Sequence, residues 1–343
     1  MSQPVVVKLG GDALATTERI VAQARRLAAW VRHGPVVAVA SARRGVTDHL
    51  LGLVREVRFA SSGTAAIGGH PEADRALATG EVVTASLLAL ALEDLGVPAV
   101  SLDAREAGLQ SSGKAGHARI RRVNSARIER ELARGILPVV TGFQGWRGGR
   151  VTTLGRGGSE STAVALAVSL GSSRCVLVKD AAGLRTADPR IVPGSRILPE
   201  APHAFLTALT EAGSPVVQAE AARLAEQHDV RLEFVTLADD HPQSVVRAGV
   251  SGLGLRAVAL HPLGRDAVAV SAVAASADLE PGLIERAGAA LLEGGVGPLE
   301  LHSTERGFRV LVPAREAPQA ARIVHAVFVE SLDAPDLRVR QAS

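Results

Sequence analysis

Gly155-Arg156-Gly157-Gly158-Ser159-Glu160 lies between a strand-like run, Arg150 to Leu154, and an apolar helical pattern from Ser161 to Leu170. Three glycines in four positions let the backbone approach a ligand and adopt conformations barred to residues with a Cβ. The helix that follows aims unpaired N–H groups and a partial positive charge back at the loop, which suits an anion. A tight turn explains one glycine. Three, with an arginine among them, point to a binding loop.

Working outward, the same order of strand, loop and helix repeats along the chain. Strand runs at Val5–Val7 and Val36–Ala40 are followed by helical patterns at Arg19–His33 and Thr47–Arg58. A Gly/Ser/Ala stretch over 61–71 precedes a helix at Glu81–Leu95, a strand at Ala99–Leu102, a helix at Ala126–Arg134 and a strand at Leu137–Thr141. Strand Cys175–Val178, helix Ala201–Thr210 and strand Arg231–Thr236 complete the series. Strands separated by helices imply a mainly parallel sheet covered on both faces, with ligands beyond the carboxyl ends of its strands. After a linker expected over 239–262, residues 263–343 read as strand 267–274, helix 281–293, strands 298–303 and 307–313, helix 317–331 and strand 337–340. That order is a ferredoxin-like βαββαβ sandwich.

A second glycine turn ends the first strand: Val7-Lys8-Leu9-Gly10-Gly11-Asp12. The chain holds three lysines, Lys8, Lys114 and Lys179, against thirty-five arginines. A lysine retained at a strand end is therefore conspicuous, and its flexible point charge suits a phosphate that moves during reaction.

Composition narrows the alternatives. The 343 residues give room for two domains, and 47% hydrophobic with 21% charged residues is that of a globular protein. No apolar run of about 18–20 residues is evident, and the N-terminus enters a strand directly, so a cytoplasmic protein without membrane contact is expected. The single cysteine, Cys175, sits in an apolar strand as a small hydrophobe. Residues 119–134 read as one helix with a basic face. Aromatic content of 2% without tyrosine leaves little to stack on bases, so no nucleic-acid partner is expected. The ten histidines show no metal-ligand spacing, and no protein-held metal is expected.

Taken together, the motifs resemble the aspartokinases of the amino acid kinase family, from about Val5 to Thr236. Lys8-Leu-Gly-Gly11 is similar to the family's Lys-Phe-Gly-Gly, and Ser41-Ala-Arg-Arg-Gly45-Val-Thr47-Asp48 to its Ser-Ala-x-x-Gly-Val-Thr-Asn. Thr79-Gly80-Glu81, the loop Leu154 to Ser161 and the run Thr186-Ala-Asp188-Pro-Arg190-Ile-Val-Pro193 match in the expected order. The resemblance implies an amino acid kinase fold over residues 1–238 followed by an ACT-like domain. It further implies Mg-ATP as co-substrate and transfer of the γ-phosphoryl group to a side-chain carboxylate of aspartate or a close analogue. By it, Lys8 and Glu160 are catalytic, and Lys8, Gly10, Gly11, Lys179, Asp180, Arg185 and Arg190 bind ATP. Ser41, Thr47, Glu81, Arg156, Gly157 and Ser159 take the amino acid, and a homodimer through the ACT-like domain is expected.

Departures from the pattern keep two alternatives open. Glu160 stands where the family has Asp, and Pro215 where it has a phosphate-binding lysine. The segment Lys179-Asp180-Ala181-Ala182-Gly183-Leu184-Arg185 loses the family's aromatic residue and gains two cations. The chain has room for one ACT module where relatives carry two. A divergent amino acid kinase with another acceptor, and a catalytically dead amino-acid sensor, both fit these changes.

Overall fold

The computed structural model describes residues 3–67, 69–180, 183–252, 254–277 and 279–330. It divides into two compact units, Met1–Ala182 with Arg223–Pro242, and Gly183–Ala222 with Gln243–Ser343. In chain order come β1 (Val5–Leu9), α1 (Thr17–Val31), β2 (Val36–Ala40), α2 (Val46–Ser62), α3 (Pro71–Asp94) and β3 (Ala99–Leu102). Then follow β4 (Leu109–Ser112), β5 (Arg119–Val123), α4 (Ala126–Ala133), β6 (Leu137–Thr141), β7 (Gln144–Arg147), β8 (Arg150–Thr153), α5 (Gly158–Ser169) and β9 (Arg174–Lys179). Next are β10 (Leu184–Arg185), β11 (Ile197–Leu198), β12 (Glu200–Ala201), α6 (His203–Glu211), α7 (Ala219–Gln227), β13 (Arg231–Thr236) and β14 (Ser244–Val246). The chain continues with β15 (Arg256–Leu263), β16 (Ala267–Ala274), α8 (Leu283–Glu293), β17 (Glu300–Thr304), β18 (Gly307–Pro313) and α9 (Ala317–Phe328).

In the first unit six strands lie in the order β13-β9-β1-β2-β6-β3, and all five pairings are parallel. Parallel neighbours require crossovers, which the helices supply, and burial on both faces accounts for unbroken apolar runs such as Val36–Ala40. Alternation along β1 and β9 sorts the two faces. Val7, Leu9, Val176 and Val178 enter a core with Leu27 of α1 and Leu88 and Leu92 of α3. Lys8 and its register partner Leu177 point the other way, where Lys8 meets Glu160 of α5. Cys175 is fully buried, and burial pushes its thiol up to about 12.

Three local expectations need correction. Residues 119–134 are not one helix: Arg119–Val123 is a strand paired with β4, and helix α4 starts only at Ala126. The sheet β5-β4-β7-β8 satisfies that backbone, through a hairpin ladder with the preceding β4 that charge periodicity does not reveal. The helix expected at Glu81–Leu95 begins ten residues earlier, at Pro71. Among the described residues this α3 is the one helix long and apolar enough to cross a membrane. Half of its most apolar window is buried, and so are Asp74 and Glu81, as suits a core helix.

The second unit contains the parallel pair β12–β14, the antiparallel pair β10–β11 and a four-stranded antiparallel sheet ordered β15-β16-β18-β17. Leu283, Ala287 and Leu291 of α8 and Val324 and Phe328 of α9 close a core over this sheet. Phe308 and Phe328 meet edge-to-face at 5.6 Å. The stretch 239–262 is more than a linker. Arg256–Leu263 pairs along its whole length with β16, because the buried run Arg256–Ala259 needs a ladder partner for its backbone. The strand expected at Leu337–Arg340 lies outside the described residues.

Candidate active site

The glycine loop delivers its residues through local geometry. Gly155 and Gly157 both adopt φ of 77°, a left-handed conformation that strains any residue with a Cβ. Gly157 is the N-cap of α5, so the helix starts at Gly158 and carries Ser159 and Glu160 in its first turn. Both are buried. Just after β1, Gly10 adjoins the ammonium of Lys8: a Cβ built on it would lie 3.4 Å from Nζ.

Glu160 collects two cations. Its Oε1 lies 3.5 Å from Lys8 Nζ and 2.8 Å from Lys179 Nζ. Lys8 is buried, and loss of hydration holds its pKa below the usual lysine value. The charge of Lys179 acts in the same direction, while Glu160 opposes both.

Helix α3 builds the opposite wall. Glu81 is 3% exposed, and its Oε1 accepts from the backbone N–H of Ala42 at 3.1 Å. Among the described residues its buried Oε2 has no hydrogen-bond partner, and burial raises its pKa to about 7. Such a carboxylate is poised to receive a cation. One turn on, Thr84 accepts from Arg43 N at 3.2 Å, so α3 grips the loop after β2 at two points. Asp74, 2% exposed, accepts from Thr153 N at 2.9 Å, Thr153 Oγ1 at 2.8 Å and Gly116 N at 3.1 Å. It ties the end of β8 and the β4–β5 turn to the same helix.

Between these walls lies a cleft of about 700 Å³. Lys8, Gly11, Ser41, Thr47, Glu81, Arg156, Gly157 and Ser159 all line it. Glu160 joins the group through its contact with Lys8, and Lys179 through its contact with Glu160. Arg156 is at the solvent side, with its side chain 90% exposed and Nη2 3.4 Å from Asp48 Oδ1. Asp180 is exposed just beyond β9. Arg185 and Arg190 belong to the second unit, where Arg185 Nε donates to Ser195 Oγ at 3.2 Å and Arg190 Nη2 lies 2.7 Å from Asp188 Oδ2.

Sequence reasoning missed Asp74, Thr84 and Phe143. An acid inside an apolar helix was the available signal for Asp74; Thr84 offered none. Phe143 also lines the cleft and holds φ of 66°, unusual for an aromatic residue.

The model of the amino acid kinase family matches residues 3–235. Aspartokinase of Geobacillus stearothermophilus is 36% identical over 252 residues, covering 72% of this chain and 60% of that protein. Aspartokinase of Mycolicibacterium smegmatis is 34% identical over 265 residues, covering 76% and 61%. The chain thus spans about three fifths of the length of these curated relatives. Among solved structures, E. coli aspartokinase III in complex with aspartate and ADP superposes with a TM-score of 0.67 at 22% identity. That match covers 91% of this chain and 79% of the other. Giardia lamblia carbamate kinase bound to AMP-PNP shares the fold at a TM-score of 0.53 and 12% identity, over 71% of this chain and 98% of its own.

Proposed function

The chain belongs to the amino acid kinase family, and on that premise we propose that it transfers the γ-phosphoryl group of Mg-ATP to the side-chain carboxylate of aspartate. One observation carries this reading. A single cleft joins a buried cation-seeking carboxylate oxygen, on Glu81, to a buried ammonium, on Lys8. A zwitterionic acceptor beside a phosphate donor satisfies both.

In this reading Glu81 takes the α-ammonium of the acceptor and Arg156 forks onto its α-carboxylate. Ser41, Thr47, Ser159 and the Gly157 amide supply hydrogen bonds. Lys8, with the amides of Gly10 and Gly11, holds phosphoryl oxygens, and Lys179, Asp180, Arg185 and Arg190 serve the nucleotide side. Mg²⁺ arrives on the nucleotide as part of the substrate. An oxygen of the acceptor carboxylate attacks the γ-phosphorus, and the bond from phosphorus to the β–γ bridging oxygen breaks. ADP leaves with that electron pair, and the product is an acyl phosphate. No proton moves, because a carboxylate is already nucleophilic at neutral pH; the protein's task is positioning and charge neutralisation. Residues 1–238 form the kinase domain in this reading. With the strand Arg256–Leu263 completing its sheet, residues 263–343 form an ACT-like domain that builds a homodimer, in a cytoplasmic protein without nucleic-acid or membrane partners.

Hydroxylamine trapping with Mg-ATP and a panel of amino acids tests the reading. A hydroxamate formed from aspartate is the expected result. ATP turnover with a different amino acid would reassign the acceptor, and amino-acid binding without any turnover would make the protein a sensor.

A further inference from the structure

Two of the three lysines in the chain end on the same oxygen atom. Lys8 leaves the carboxyl end of β1 and Lys179 that of β9, and the two strands are parallel neighbours. In their register Lys8 stands opposite Leu177. Lys179 follows Leu177 by two residues, so strand alternation puts its side chain on the same face as Lys8. Across that face, α5 places Glu160 between them, 3.5 Å from one ammonium and 2.8 Å from the other. The two nitrogens therefore lie within the sum of those distances, about 6.3 Å.

A purely structural counter-ion for Glu160 needs one cation, and in a chain with thirty-five arginines it would be expected to be an arginine. Bringing in a second ammonium works against the first, since the charge of Lys179 adds to burial in disfavouring charged Lys8. A phosphoryl group reverses that conflict. Each ammonium can reach a different oxygen at about 2.7–2.9 Å, and the repulsion becomes shared attraction. Gly10 adjoins the Lys8 ammonium, since a Cβ built on it would touch Lys8 Nζ at 3.4 Å.

We propose that Lys179 is a second catalytic residue: with Lys8 it brackets the oxygens of the phosphoryl group in flight, and Glu160 is the buried carboxylate that aims both ammonium groups. The proposal rests on the kinase reading above and deepens it. The chain has proline at 215, where the resemblance expects a phosphate-binding lysine, and Lys179 supplies a cation from the strand end instead. Neither lysine gains or loses a proton in the step. Their role is to offset charge on the γ-phosphoryl oxygens while the bond to ADP breaks.

The test compares wild type with Lys179→Ala and Lys179→Arg in hydroxamate formation. It also uses calorimetric titration with Mg-ADP and with Mg-AMP-PNP, which differ in the γ-group. Lys179→Ala is expected to lose at least about a hundredfold in kcat. It should lose at least about tenfold in Mg-AMP-PNP affinity and less than about threefold in Mg-ADP affinity. Lys179→Arg should recover part of the rate. Retention of kcat within threefold in Lys179→Ala overturns the proposal, as does an equal loss of both nucleotides. The double variant Glu160→Gln/Lys179→Ala separates the structural explanation. If Lys179 only neutralises Glu160, the double variant regains activity; on the proposal it stays at least as slow as Lys179→Ala. Should wild type form no hydroxamate, the kinase reading fails, and the two titrations alone judge Lys179. A Lys179→Ala variant that then binds Mg-AMP-PNP within threefold of wild type overturns the proposal too.

Discussion

The two ends of the cleft treat charge in opposite ways. At the Lys8 end, ammonium and carboxylate groups are withdrawn from water, with side chains of Lys8 and Glu160 only 9% and 8% exposed. At the Arg156 end, the facing pair Arg156 and Asp48 is 90% and 69% exposed. Burial makes the first cluster rigid and costly to break, because a lost partner leaves a charge that water cannot reach. The second pair is screened and free to exchange Asp48 for an incoming carboxylate at little cost. The arrangement suits a reaction in which one end must hold developing charge still while the other admits and releases a small zwitterion.

Four substitutions test how deep that difference runs. Glu160→Gln should have the largest effect on folding, about 3–5 kcal/mol by urea denaturation, since two ammonium groups lose their shared carboxylate. A change below about 1 kcal/mol would mean that solvent reaches the cluster after all. Lys8→Ala should lower kcat by a hundredfold or more, roughly 3 kcal/mol in the transition state, in a variant whose circular dichroism is unchanged. A rate close to wild type would place the phosphoryl group elsewhere.

Glu81 gives the pH dependence. Its folded pKa, about 7, lies above that of the unfolded chain, so the folded state keeps a proton that the unfolded state has released. The stability it contributes is fully present below pH about 4.5 and is lost as pH rises through about 7. An α-ammonium needs the ionised form. The KM for the amino acid should therefore fall by up to about tenfold per unit as pH rises toward 7, then level off. Glu81→Gln should flatten the profile; an unchanged profile in that variant would assign the titration to another group. Arg156→Ala should have the smallest effect, about 1–2 kcal/mol in amino-acid affinity with stability and ATP affinity nearly unchanged. Calorimetry showing loss of ATP with amino-acid binding intact would mean the two subsites are exchanged.

Those magnitudes depend on facts that the sequence expresses unequally. Glycines 155 and 157 could be read as a ligand loop because a left-handed backbone restricts residue type, and that restriction is local. The parallel sheet could be read from unbroken apolar runs between helical patterns, since burial on both faces leaves that trace. The strand at Arg119–Val123 could not be read, because three of its five residues are arginines and it shows no apolar run, although its hairpin partner β4 directly precedes it. Nor could the full length of α3, whose first turns carry Asp74 on its contacts with Thr153 and Gly116. The strand at Arg256–Leu263, whose hairpin partner β16 follows directly, passed for a linker.

By itself, then, the sequence determined the residue types, their order and the backbone freedom of the loops: Lys8 before two glycines, Glu160 after three, Glu81 within an apolar helix. Only the tertiary structure decided which of these charges meet. The convergence of Lys8 and Lys179 on Glu160 depends on the register of β1 against β9 and on the helix packed across them. The raised pKa of Glu81 depends on burial against the loop after β2. Register and burial arise from contacts between segments far apart in the chain, and no local pattern encodes them.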